Sequence, residues 1–342
     1  MSEPRKRRST GNVTLADVAK KAGVGTMTVS RALRTPELVS DKLREKIQQV
    51  LMSSAISRIK RQGALASAES YSIALIIPSL FEKACALFLP SFQQALNKAG
   101  YQLLLGYSDY SVEQEEKLLS TFLESRPAGV VLFGNEHSQR TNQLLEASNT
   151  PVLEIAELSS KASYLNIGVD HFEVGKACTK HVIEQGFKNV GFIGGARGGD
   201  HSTLQRKLHG WQSAMIENYL APDHFLTTHE APSSQLGAEL AKLLLRDSSL
   251  NALVCSHEEI AIGALFECHR RVLKVPTDIA IICLEGSSMG EHATQVPVRN
   301  SITNVWGTKA ADKLLQAIKG EPVEHVTDMG FKLKRRASTA IN

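Results

Sequence analysis

The nine residues from Thr26 to Arg34 (Thr-Met-Thr-Val-Ser-Arg-Ala-Leu-Arg) put three hydroxyls, a thioether and two guanidinium groups on one short helical segment. Groups of this kind near the start of a helix can meet base edges or phosphates. Arg31 could pair with guanine or hold a phosphate, Thr26 could serve base edge or backbone, and Met27 could pack on a thymine methyl. Thr28, Ser30 and Arg34 share the segment and join the candidates, as does Thr14 at the entrance to the preceding helix. A different chemistry is suggested at Gly286-Ser-Ser-Met-Gly290, which fits G-x-S-x-G after an apolar run, with Asp312 and His325 following in hydrolase order. A hydrolase gives no reason for a basic front end, so this match is read as a decoy. Gly194-Gly-Ala-Arg-Gly-Gly199 lacks both G-x-G-x-x-G and the Walker lysine, and reads as a strand-to-helix loop rather than a phosphate cradle. The 11 histidines form no H-E-x-x-H cluster and the 5 cysteines no C-x-x-C pair, so neither a metal nor a cofactor is expected and the thiols are read as reduced core residues.

The elements that would hold the first constellation follow from local signals. Thr14 can cap a helix opening at Leu15, and Asp17 suits the positive end of its dipole. Leu15, Val18 and Ala19 form its apolar face, and Gly23 in Ala22-Gly-Val-Gly25 supplies the left-handed turn. The helix of Thr26 to Arg34 follows at once, burying Val29 and Leu33, and a third helix starts at the cap Ser40 with Leu43, Ile47, Val50 and Leu51 at helical spacing. That spacing is a helix-turn-helix, whose second helix enters the major groove. Charge agrees: residues 1–69 carry 14 Lys and Arg against 6 Asp and Glu, whereas the rest carry 25 against 29. A basic front ahead of an acidic body is the footprint of a DNA-binding segment joined to a domain with another task.

With 342 residues the chain is too long for one typical domain. No stretch reaches the roughly 18 apolar residues of a membrane helix, and the N-terminus lacks the apolar core of a secretory signal, so the protein is expected in the cytoplasm, at the nucleoid. From Ser72 onward apolar runs at 73–77, 102–105, 130–133, 152–155, 190–193, 252–255 and 279–283 read as buried strands. Helical patterns lie between them near 84–98, 113–124, 172–185, 203–218, 235–246, 257–270 and 308–319. Such alternation predicts two doubly wound parallel sheets of about 100 residues each, with a ligand between the lobes near the strand C-termini.

Val13 to Ala19 (Val-Thr-Leu-Ala-Asp-Val-Ala), Ala22-Gly-Val24 and Thr28-Val-Ser-Arg31 resemble the headpiece of the lactose- and purine-repressor (LacI-type) family, and the likeness extends along nearly the whole chain. The resemblance implies a homodimer on a pseudo-palindromic operator, with a hinge helix from each subunit wedging a leucine into the minor groove. By motif position that leucine is Leu65, in Gln62-Gly-Ala-Leu-Ala-Ser67. The approach departs from the family: Ile56-Ser-Arg-Ile59 stands where Tyr-x-Pro-Asn is usual, and Gly63 inside the hinge helix costs roughly 1 kcal/mol against alanine. Arg58, Lys60 and Arg61 could compensate on phosphates; the alternative is a flexible basic linker. The expected plan is a basic arm over 1–12, a helix-turn-helix domain over 13–57, a hinge over 58–70, and a periplasmic-binding-protein-like bilobal body over 71–342. Lobe crossovers are expected near 170, 300 and 328. Only three residues follow Thr339, too few for a heptad tail, which favours a dimer over a tail-linked tetramer.

The body most resembles the gluconate and idonate repressors, in Pro78-Ser-Leu80, Gly100-Tyr-Gln102, Gly263 to Cys268, Leu273 to Pro276 and Asp328 to Phe331. Carried over by motif, the effector contacts are Ser79, Phe81, Glu82, Asp170, Lys207, His257 and Glu285. Lys207 leads them because it stands three before Gly210-Trp211, where the family usually has an arginine. Three departures add charge to the cleft: Ser256-His-Glu-Glu259 for Thr-Asn-Asp-Asp, Leu284-Glu-Gly286 for Phe-His-Gly, and Glu82 for an asparagine. Extra carboxylates would repel an anionic ligand unless paired with Lys83, Lys207 or His257. The ligand is therefore either a sugar acid held with more cationic help, or a neutral polyol donating to Glu82 and Glu285. Two other functions stay open: a sugar-binding or sugar-processing protein with structural N-terminal helices, and a regulator that no longer answers a ligand.

Overall fold

The computed structural model describes residues 15–35, 38–51, 70–80, 83–159, 162–196, 201–247, 249–285, 304–333 and 337–339. The head consists of α1 (Leu15–Ala22), α2 (Thr26–Arg34) and α3 (41–51). Gly23 makes the turn between the first two at φ +67°, a region where a Cβ would be strained, and Val24 N–H closes it on the Ala19 carbonyl at 3.0 Å. Val18, Ala19, Ala22, Val29 and Ile47 form the small core, flanked by Val24, Ala32, Leu43, Val50 and Leu51. Leu15 and Leu33, expected inside, are 46% and 54% exposed. The seam is filled by Val29 and Ala32, and Leu33 stands one helical step beyond it.

The body holds two sheets, parallel throughout. The first comprises β1 (Ser72–Ile77), β2 (Gln102–Tyr107), β3 (Gly129–Phe133), β4 (Val152–Glu157), β5 (Leu165–Val169) and β10 (Val326–Asp328), in the order β10-β5-β4-β3-β1-β2. The second comprises β6 (Val190–Gly195), β7 (Phe225–Thr228), β8 (Ala252–Cys255) and β9 (Ala280–Cys283), in the order β7-β6-β8-β9. Alternate residues of β1 face opposite cores: Ile73, Leu75 and Ile77 join one cluster, Ala74 and Ile76 the other. Burial on both faces is why most of these strands read as unbroken apolar runs; β2, at the edge of its sheet, departs from the expectation of a buried strand, with Gln102, Leu105 and Tyr107 exposed. On the first sheet α4 (Lys83–Lys98) and α11 (Asn304–Ile318) cover one face, α5 (Val112–Glu124) and α6 (Gln139–Ser148) the other. On the second, α7 (His171–Glu184) and α8 (His201–Glu217) lie opposite α9 (Ser234–Leu244) and α10 (Glu258–Arg270).

The chain leaves the first sheet at Val169 and, after the single residue Asp170, enters α7 at His171. It is back beside the first sheet in α11 and β10, and the Ser338 carbonyl then accepts from Ile281 N–H of β9 at 3.2 Å. The crossover expected near 300 lies outside the described residues. Three strands and one helix were not expected: β5, β7, β10 and α6. Asn166 and Gly168 interrupt β5, β7 is a half-exposed edge, β10 is three residues long, and α6 is mostly polar. None of the five cysteines is in a disulfide and all are buried, and burial pushes the Cys268 thiol up to about 11.

Candidate functional site

On the head, Thr26, Met27 and Arg31 stand on the outward side of α2, Met27 being 68% exposed, while Thr28 and Ser30 are half-buried. Arg34 is the last residue of α2. Thr14 and Leu65 lie outside the described residues. Val29 points into the core from the same helix, while Leu33 shares the exposed side with Met27 and the polar residues.

In the body, Asp170, Lys207, His257 and Glu285 gather where the carboxyl ends of β4, β5, β8 and β9 approach the start of α7 and the first half of α8. Two glycines set the approach of these helices. A Cβ on Gly175 would come within 2.3 Å of the Lys207 carbonyl, and one on Gly210 within 2.1 Å of the Phe172 carbonyl. Close contact along α7 and α8 seats Arg206 and Lys207 against the N-terminus of α7. Asp170 caps that terminus, its Oδ1 accepting from Phe172 N–H at 2.9 Å and Glu173 N–H at 3.3 Å. The same oxygen accepts from Arg206 Nη2 at 2.6 Å.

Lys207 is wholly buried and donates its Nζ proton to Glu285 Oε1. His257 Nε2 lies 3.8 Å from that oxygen, and its Nδ1 is 2.8 Å from Ser256 Oγ. Desolvation works against charge on Glu285, but Lys207 above all, then His257 and His171, outweigh it and bring the carboxyl down to about 2. Lys207 is thus neither a solvated helix position nor a lone cation. Its charge is already matched inside the protein. Ser79 is half-buried just past β1, and Phe81 and Glu82 lie outside the described residues.

Sequence reasoning missed a second cluster beside the first. Glu157, the last residue of β4, lies 2.7 Å from Arg206 Nε, an ion contact whose N–H is not aligned as a hydrogen bond. Thr203 Oγ1 donates to the other Glu157 oxygen at 3.3 Å, and His171 Nε2 is 3.7 Å from it. Burial raises Glu157 to about 7, more than Arg206 and Lys207 lower it, and Asp170 adds to the rise. Asn166 steadies the strand end: its amide donates to the Glu157 carbonyl at 3.0 Å and accepts from Ser159 N–H at 3.1 Å. The signal available beforehand was the Arg206-Lys207 pair before Gly-Trp, together with a carboxylate closing an apolar strand.

The decoys stay apart. Gly286 to Gly290 is outside the described residues, Asp312 is exposed on α11, and His325 is held by the Ala162 carbonyl at 2.9 Å in the first lobe. Gly194 and Gly195 belong to β6, where a Cβ on Gly194 would meet Leu204 and Ser256 at under 3 Å, a packing reason for glycine.

Known proteins share both parts. A profile of bacterial regulatory proteins, lacI family, matches residues 14–55, and one of the periplasmic binding protein-like domain matches 179–339. The HTH-type transcriptional regulator GntR of Escherichia coli (strain K12) is 32% identical over 324 residues, covering 93% of this chain and 96% of that protein. IdnR of the same strain is 26% identical, covering 94% and 97%. The crystal structure of a PurR family transcriptional regulator from Vibrio parahaemolyticus RIMD 2210633 superposes with a TM-score of 0.75 at 87% identity, over 80% of this chain and 100% of that one. The lac repressor dimer bound to operator, 21% identical, superposes at 0.72 over 96% and 99%, which marks a shared fold. With a helix-turn-helix head, a bilobal parallel-sheet body and relatives matched over nearly its full length, the chain belongs to the lacI family of bacterial regulatory proteins and is a DNA-binding transcriptional regulator.

Proposed function

We propose that this regulator is a homodimeric repressor whose operator affinity is set by a small sugar or sugar acid of the gluconate class, bound between the two lobes. The observation that carries this reading is the convergence of Asp170, Lys207, His257 and Glu285, with Arg206 and Glu157, at the carboxyl ends of strands from both sheets. Ser79, Phe81 and Glu82 complete the proposed lining from the first lobe. Paired ions present fixed donors and acceptors at low net charge, which suits a polyhydroxy ligand. Thr14, Thr26, Met27, Thr28, Ser30, Arg31 and Arg34 are the proposed operator contacts. Leu65 is the proposed minor-groove wedge, in a chain divided at 12, 57 and 70. The cleft is read as binding without turnover. Ligand that prefers one lobe arrangement shifts operator affinity, and by linkage the operator shifts ligand affinity equally.

Calorimetric titration of the full chain with gluconate, its keto and epimeric relatives and neutral sugars tests the reading. Saturable binding that changes affinity for a genomic fragment is expected, and silence from the whole panel defeats it. A second reading has its own support in the neutralisation of Lys207 by Glu285: a regulator that binds DNA and answers no small molecule.

A further inference from the structure

Glu157 belongs to the first sheet, yet Arg206, Thr203 and His171, the side chains that meet its carboxylate, all come from the two helices that cover the second. The carboxylate itself is 4% exposed as a residue, so this is an enclosed contact between lobes rather than a surface ion pair. The two neighbouring cations differ. Lys207 is enclosed and matched by Glu285, whereas the Arg206 side chain is 41% exposed and shared between Glu157 and Asp170. Asp170 is committed to capping α7, which leaves Glu157 as the more replaceable partner of the guanidinium.

We propose that Glu157 is a built-in rival of acidic effectors, holding Arg206 until it takes up a proton, so that a carboxylate ligand binds together with one proton and a neutral polyol binds without one. The inference rests on the reading of the cleft as a sugar or sugar-acid site and adds the rule by which it separates the two. A ligand carboxylate beside Arg206 would be the third anion on one guanidinium, next to Glu157 and Asp170. Like charges so close are relieved by protonating the most buried of them. The charged or titratable groups facing Glu157 are Arg206 and Lys207, which favour its anion, Asp170, which opposes it, and His171. Burial has already brought Glu157 to about 7, so the proton is available near neutrality. Protonated, Glu157 can donate one O–H to the arriving carboxylate or hydroxyl.

The test is calorimetry on the full chain with sodium gluconate and with sorbitol, from pH 6 to 8.5, in buffers of differing ionisation enthalpy. Gluconate should bind with a proton uptake that climbs from near zero at pH 6 towards one at pH 8.5, and weaken by up to about tenfold per pH unit above 7. Sorbitol should show neither effect. Glu157→Gln should abolish the slope and strengthen gluconate binding at pH 8, whereas Glu154→Gln should keep the slope. Gluconate binding without proton uptake, or an unchanged slope in Glu157→Gln, overturns the proposal. If neither probe binds and the wider panel is silent too, the sugar reading of the cleft falls. The unliganded protein then decides about Glu157: infrared difference spectra between pH 6 and 8 should show a protonated-carboxyl band that Glu157→Gln reduces by about half. Identical spectra from the two proteins overturn the proposal.

Discussion

On α2, Arg31 and Met27 project into solvent, while in the cleft Lys207, Glu157 and Glu285 are drawn against opposite charges and largely away from water. The two surfaces meet different demands. A duplex is a polyanion wrapped in counterions, so a head that binds it gains by carrying uncompensated cations to be matched on contact. A small polar ligand must be fixed by groups already desolvated and oriented. Such groups persist in a protein interior only when their charges are paired beforehand. One surface therefore shows itself as a charge excess and the other as a balance near zero.

The sharpest way to break this contrast is to unbalance the cleft. Lys207→Met leaves Glu285 without its ammonium and should cost about 3 kcal/mol in urea unfolding, the low end for a broken buried pair, since Glu285 is a third exposed to water. Adding Glu285→Gln should restore most of the loss. A double variant as unstable as the single one would show that packing, not charge pairing, holds the site. On the head the corresponding change is Arg31→Ala. It should cost roughly 1–3 kcal/mol, or about 5- to 160-fold in affinity, for a genomic fragment selected by the intact protein, and far less for a scrambled duplex, as read by fluorescence anisotropy. Equal losses on both would reduce Arg31 to a phosphate contact.

The head was legible because its signals are local: one glycine at a turn, a cap, and apolar residues three and four apart. The fold of the body was legible from strands buried on both faces. β5, β7, β10 and α6 were lost where Asn166, Gly168 or a polar helix surface broke the pattern. The cleft was half legible. Lys207, His257 and Glu285 were singled out by motif, and pairing was foreseen as the condition for tolerating extra carboxylates. Glu157 and Arg206 were not foreseen, because that contact joins residues 49 positions apart through the packing of α7 on α8. Hydropathy sees Glu154 and Glu157 alike, as acids in an apolar strand.

Those two carboxylates give a smaller and more discriminating test. Glu154, on the opposite face of β4, is also raised to about 7 by burial, with His137 and His325 opposing the rise. Its histidine neighbours are thus in the first lobe, unlike the partners of Glu157. A carboxyl raised on folding contributes stability that is complete below about 4.5 and lost as pH rises through about 7. The wild-type melting temperature should therefore fall between pH 5 and 7.5. Glu154→Gln and Glu157→Gln should each remove part of the slope, at most about 1.4 kcal/mol per pH unit, and only Glu157→Gln should also alter gluconate binding. Loss of ligand coupling in both variants would mean that the lobes do not separate the two sites.

The smallest expected effect lies back on the head, at Met27. An apolar contact to a thymine methyl is worth about 0.8 kcal/mol, the transfer free energy of one such group. Replacing single thymines by uracil in a selected fragment removes that methyl and nothing else from the groove. If Met27 reads it, one uracil position should weaken the wild type about fourfold and leave Met27→Ala unaffected, so that the two changes together cost no more than either alone. Additive losses at every position would place Met27 outside the groove. The rotation of α2 about its axis would then have to bring Thr26 and Arg31 to the bases by another route, since the three share one outward side.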